Sequence, residues 1–162
     1  MPLLKVVSKM RARPLAHWML WLRAFVWLGV MRAAINTLSM PRLLRQLRLV
    51  QTTSGDQQSL PSLPLSQRVR WAVTSASRYT PWKSDCLPQA LTAFHLLRQD
   101  DVSTVLHLGT MFRTAVDQSS ISSQGDRALV AHAWLKDGEY VVTGRSGHRS
   151  YATVAMFTAS QK

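Results

Sequence analysis

The chain has a single cysteine, and its surroundings suit a nucleophile. It stands in Tyr79-Thr80-Pro81-Trp82-Lys83-Ser84-Asp85-Cys86-Leu87-Pro88-Gln89-Ala90-Leu91, where a loop turns into a helix. Asp85 or Ser84 is a suitable N-cap, and Pro88 fits a first turn, whose N–H groups lack helical acceptors. Leu87, Ala90, Leu91, Phe94 and Leu97 recur at spacings of three and four, which predicts an amphipathic helix from 86 to about 99. The positive end of a helix favours the thiolate, the attacking form of a cysteine, while the neighbouring Asp85 works against it. A lone cysteine is more often an inert core residue than a nucleophile, and only a partner changes that balance. The sequence offers one, His132 in Ala131-His132-Ala133-Trp134-Leu135, on a run that leads into the hairpin signal Asp137-Gly138.

A cysteine that opens a helix, with a histidine on a later strand, is the arrangement of papain-like and transglutaminase-like enzymes. The elements around the pair fit that layout. Residues 14–38 form a strongly apolar helix with Leu15, Trp18, Leu22, Phe25, Leu28 and Arg32 grouped on the wheel, and Pro41 starts a short basic helix from Arg42 to Leu49. Residues 51–65 are polar and punctuated by proline, which marks a linker. Ser66 caps a helix reaching about Tyr79 that buries Val69, Val73 and Ala76. Beyond Gln99-Asp100-Asp101 the hydrophobic period changes from 3.6 to 2. Residues 104–108 are then a strand, Arg127–Lys136 with Glu139–Thr143 a hairpin, and Tyr151–Phe157 a last strand. His107, inside the first of these, reads as a packed, hydrogen-bonded histidine rather than a catalytic one. Residues 117–126 read as a solvated polar loop. With Asp137-Gly138 as a two-residue turn, His132 faces Thr143 across the ladder; a three-residue turn would make the partner Val142. The expected organisation is a helical region over 1–50, a linker over 51–65 and an α+β domain over 66–162.

Composition narrows the function. Hydrophobic content of 46% with 17% charged residues describes a folded chain, and one cysteine excludes an internal disulfide and suits a reducing cytoplasm. The net charge of +12 is uneven, because residues 1–60 hold nine Lys/Arg against one acid, Asp56. A nucleic acid, an anionic membrane or an acidic partner would suit such a region. Trp18, Trp21, Phe25 and Trp27 stand at helical spacing among aliphatic residues, unlike base-stacking platforms, so nucleic acid ranks low. Arg23 splits the apolar run between His17 and Arg32, which argues against a membrane span, and no small-residue cleavage site follows to make a signal peptide. Peripheral membrane contact stays open. No CxxC or HExxH spacing and no phosphate-binding glycine loop is present, so neither a metal nor a cofactor is expected.

The linked motifs Arg68-Val-Arg-Trp-Ala72, Ser77-Arg-Tyr-Thr-Pro-Trp82, Cys86-Leu-Pro-Gln-Ala90, Leu106-His-Leu-Gly109 and Ala131-His-Ala-Trp-Leu135 resemble one family. It is the stand-alone leader peptidase of lasso-peptide biosynthesis, the C-terminal domain of the B protein. The similarity covers about residues 66–158 and implies a transglutaminase-like cysteine-protease fold, in which the cysteine helix packs on a small antiparallel sheet behind an N-terminal helical extension. It further implies Cys86 as nucleophile, His132 as base and an acid after the hairpin, where this chain has Gly144. Thr143 and Asp137 are the candidate orienting residues left, and a backbone carbonyl or a water is the remaining substitute. An aspartate placed at 144 is expected to help catalysis unless Gly144 needs a positive φ. The implied substrate is the leader region of a lasso-peptide precursor, and the implied partners are a small leader-binding protein and an ATP-dependent lasso cyclase. A silent scaffold of the same fold, or an acyltransferase or amidase using the same pair, is the alternative.

Overall fold

The computed structural model describes residues 15–53, 61–114 and 127–160, so the expected loop over 117–126 lies outside the described residues. In chain order the elements are α1 (Leu15–Thr37), α2 (Met40–Gln46), β1 (Leu49–Thr52), α3 (Leu63–Ala76), α4 (Cys86–Gln99), β2 (Val105–Thr114), β3 (Arg127–Asp137), β4 (Tyr140–Thr143), a 3-10 turn (His148–Ser150) and β5 (Ala152–Ala159). The five strands form one antiparallel sheet in the order β1-β5-β2-β3-β4. Helices α3 and α4 pack against its β3–β4 side, and α1 lies on both of them.

Helix α4 is the centre of this arrangement. Eight of its fourteen residues are buried, among them Leu91, Phe94, Leu96 and Leu97, because it meets the sheet on one side and α1 and α3 on the other. Its sequence shows an amphipathic stripe, yet the tertiary environment covers nearly the whole helix. In α3, Val69, Ala72, Val73 and Ala76 recur at three and four and are fully buried. Helix α1 docks through Leu20, Ala24, Leu28 and Met31. Of the residues grouped on the wheel only Leu28 belongs to that face, and Leu15 and Leu22 are left in solvent. With apolar residues all round the helix, the sequence gives little indication of which side the core takes.

Two boundaries also differ. Helix α2 ends at Gln46, and Leu49–Thr52 leaves it to pair with β5, so the chain after α2 begins a strand where a linker was expected. Strand β5 has its other edge on β2 and would otherwise present free N–H and C=O groups there. Residues 15–52 therefore share a hydrophobic core and a sheet with the rest.

Helix α3 starts at Leu63, three residues before the expected cap. Ser66 is buried inside it and donates its hydroxyl to an Asp137 carboxylate oxygen at 2.6 Å, and the Ser62 backbone N–H donates to the same oxygen at 2.8 Å. Asp137 is thereby drawn inward as the last residue of β3, pairing with Tyr140, and the turn is Gly138-Glu139. An extra residue in β4 next shifts the register, so that Thr143 pairs with Leu135 and not with His132. Replacing Asp137 by alanine leaves two donors without their acceptor. Unfolding in urea should show a loss of about 2–3 kcal/mol, with Asp137→Asn losing less; an Asp137→Ala protein as stable as the wild type would contradict this tie.

Candidate active site

Cys86 is the first residue of α4, half-buried, after an Asp85 N-cap in extended conformation whose side chain makes no capping bond. The loop leading to it is held from both sides. The Thr80 hydroxyl bonds to the Ser84 hydroxyl at 2.8 Å, and Gln89 Nε2 donates to the Ser84 carbonyl at 2.7 Å. Trp82 packs against Phe25 of α1 with ring centroids 5.6 Å apart, and Tyr79 lies edge-on to Trp21. Helix α1 thus braces the segment that presents the thiol.

His132 lies on β3 opposite Gly109 of β2. Ala133 and Leu135 point into the core beneath the helices, so strand alternation sends His132 and Trp134 to the other face. There the indole of Trp134 is buried and lies flat on His107, at 5.3 Å and 6° between planes. The His132 ring lies against Tyr151 at 4.8 Å and against Trp134 at 5.9 Å. Gly109 makes room for this stack, since a Cβ there would sit 2.8 Å from the Trp134 ring.

The hydrogen bond to the His132 ring is the decisive feature. Nε2 lies 2.9 Å from the carbonyl oxygen of Gly144. A carbonyl only accepts, so Nε2 carries the proton and the neutral ring has Nδ1 as a proton acceptor. The chain therefore supplies a backbone carbonyl where the family resemblance implies an acid. Neither orienting candidate reaches the ring: Asp137 is committed to Ser62 and Ser66, and the buried Thr143 hydroxyl has no hydrogen-bond partner. Gly144 itself has φ +70°, and a Cβ there would lie 2.5 Å from the Ala133 carbonyl oxygen and 2.7 Å from Trp134 Cβ. An aspartate is thus strained at this position, which is the outcome expected if Gly144 needs a positive φ.

Cys86 and His132 are not joined. Among the described residues no hydrogen bond links the thiol to the imidazole; the thiol lies on the helix-packed side, and the ring starts from the opposite face of β3. Strand β4 pairs only with Leu135, Lys136 and Asp137, so no strand pairs with β3 beside His132 on that edge. Sequence reasoning missed Tyr151 as a ring partner and missed the loop from Gly144 to Ser150 that folds over Trp134, where His148 approaches the indole at 6.2 Å. The two glycines at 144 and 147, both with positive φ, were the available signal. The described residues contain no cluster of His, Cys, Asp and Glu that could hold a metal ion.

A family model described as the transglutaminase-like superfamily matches residues 25–156. The chain belongs to the transglutaminase-like superfamily. The match reaches back into α1, well before residue 66, in keeping with a helix that shares the core. No curated protein and no solved structure matches the chain significantly.

Within this transglutaminase-like fold His107 is packed, as its sequence suggests, but its buried Nε2 has no hydrogen-bond partner. Burial, aided by Lys136 and His148, pushes its pKa down from 6.5 to about 4. The folded protein keeps this ring neutral while the unfolded chain takes up a proton below 6.5. Stability from this residue is complete above that pH and is lost as the pH falls from 6.5 towards 4, by up to about 1.4 kcal/mol per pH unit. Urea titrations across that range should show the slope, and His107→Gln should flatten it; identical slopes would contradict the assignment. For Gly144, both Gly144→Ala and Gly144→Asp should lower the unfolding free energy by about 2 kcal/mol or more, since the clash begins at Cβ. A Gly144→Asp protein of wild-type stability and raised activity would refute the geometry.

Proposed function

We propose that the chain is a cysteine peptidase that removes the leader from a lasso-peptide precursor, working with a leader-binding protein and ahead of an ATP-dependent cyclase. The transglutaminase-like superfamily includes cysteine peptidases and acyltransferases, and the motif set shared with lasso leader peptidases narrows the reading. The observation that carries it is the proton placement on His132. With Nε2–H given to the Gly144 carbonyl, Nδ1 is the acceptor a thiol needs. The reading requires the pair to meet around the edge of β3 once substrate is bound; catalytic hydrogen bonds are often long or poorly aligned without it.

In the reaction, Nδ1 of His132 takes the Cys86 proton and the thiolate attacks the carbonyl carbon of the scissile bond. The Cys86 backbone N–H, at the start of α4, is placed to donate to the oxyanion. As the C–N bond breaks, the imidazolium returns its proton to the leaving amine of the core peptide. Water then hydrolyses the thioester, giving the leader carboxylate and the free thiol. The Gly144 carbonyl orients the ring and gives the imidazolium less support than a carboxylate, because a neutral acceptor makes a weaker bond.

A silent scaffold is the second reading, favoured by the absence, among the described residues, of a Cys86–His132 hydrogen bond and of a carboxylate on His132. Incubation of precursor with the chain and its leader-binding partner, followed by mass spectrometry, separates the two. Wild type should release the leader and Cys86→Ala should not. His132→Ala should slow release by a hundredfold or more, about 2.7 kcal/mol of barrier. Adding a primary amine tests for acyl transfer, since amide-capped leader would appear in place of the acid. Cleavage by Cys86→Ala at the wild-type rate would remove the cysteine mechanism.

A further inference from the structure

Helix α1 keeps an apolar stripe out of the core. Leu15, Met19, Leu22, Val26 and Val30 are between 46% and 83% exposed, in steps of four, three, four and four. At about 100° per residue they fall within a sector of roughly 80°, and the docked residues Leu20, Ala24, Leu28 and Met31 lie diametrically opposite. The stripe is about 22 Å long at the rise of an α-helix. A helix apolar all round is ordinarily buried all round, so half of this one lacks its cover.

The charge around the stripe says what the cover is. No acidic residue occurs before Asp56, and Lys5, Lys9, Arg11 and Arg13 immediately precede the stripe in sequence. Arg42, Arg45 and Arg48 are exposed on the segment that follows α1. Apolar contact with a partner protein needs no such excess of cations. An anionic lipid surface uses both features, the apolar stripe entering the acyl boundary while cations meet the headgroups. Among the described residues α1 is the one helix long and apolar enough to span a membrane. Its opposite face is nevertheless fixed to the fold through the buried Leu20, Ala24, Leu28 and Met31, and its flank is tied down by Arg23 bonding to the Gln99 side chain and by Trp27 packing on His95 with centroids 3.7 Å apart. It can therefore lie along a surface without leaving the core.

We propose that α1 is an in-plane membrane anchor that holds the domain on anionic phospholipid. The test is co-sedimentation of the full chain with vesicles of phosphatidylcholine alone and of phosphatidylcholine mixed with phosphatidylglycerol. The expected result is binding to the mixed vesicles, release by high salt or carbonate, and at least about tenfold weaker binding for Met19→Glu/Leu22→Glu/Val26→Glu. All three positions are exposed, and circular dichroism checks that the variant is folded; if it is not, Leu22→Gln alone should weaken binding severalfold. Failure to bind mixed vesicles at low salt would overturn the proposal. So would equal binding by the folded variant, which would mean charge alone, or release only by detergent, which would mean a span. Self-association in the absence of lipid that the triple variant abolishes would assign the stripe to a second copy of the chain.

Discussion

A carbonyl can approach the His132 ring in this fold only if the chain at residue 144 turns back against Trp134 with no side chain in between. Gly144 meets that demand with φ +70° and with backbone and side-chain atoms crowding the place its Cβ would occupy. The consequence runs outward from there. The carbonyl fixes which ring nitrogen carries the proton, the loop after Gly144 closes over Trp134, and Trp134 in turn lies on a neutral His107. An acid at 144 and this loop conformation are mutually exclusive, so the chain orients its histidine through the backbone.

The hairpin shows the same economy of constraint. The carboxylate nearest His132 in sequence, Asp137, is used to hold the start of α3 against the sheet and is lost to the site. That use also settles the register: with Asp137 drawn inward the turn moves on by a residue, a bulge follows, and Thr143 slides away from His132. The hairpin thus has its polar anchoring at the tip and its ring orientation at the far end.

Local pattern was enough to place α4, its opening cysteine, β3 and the histidine, because each is marked by periodicity or a cap within a few residues. The hairpin partner of His132 was not legible, since it depends on whether Asp137 faces the turn or Ser66, seventy-one residues away in the chain. The strand at Leu49–Thr52 was hidden for a similar reason, as its pairing partner lies near the other end of the sequence. The docked side of α1 was not legible because an all-round apolar helix does not announce it; only packing against α3 and α4 decides.

Cys86 and His132 stand unbonded on α4 and β3, and the proposed peptidase needs them to act as one unit. The rate of Cys86 alkylation by iodoacetamide at neutral pH, with leader peptide and leader-binding partner bound, in the folded wild type and in a folded His132→Gln variant, tests this most directly. If Nδ1 takes the thiol proton, the wild type reacts at least about tenfold faster than the variant, because the thiolate is the reacting form. Equal rates in the two proteins would show that the histidine does not serve the cysteine, and the peptidase reading would fall with it.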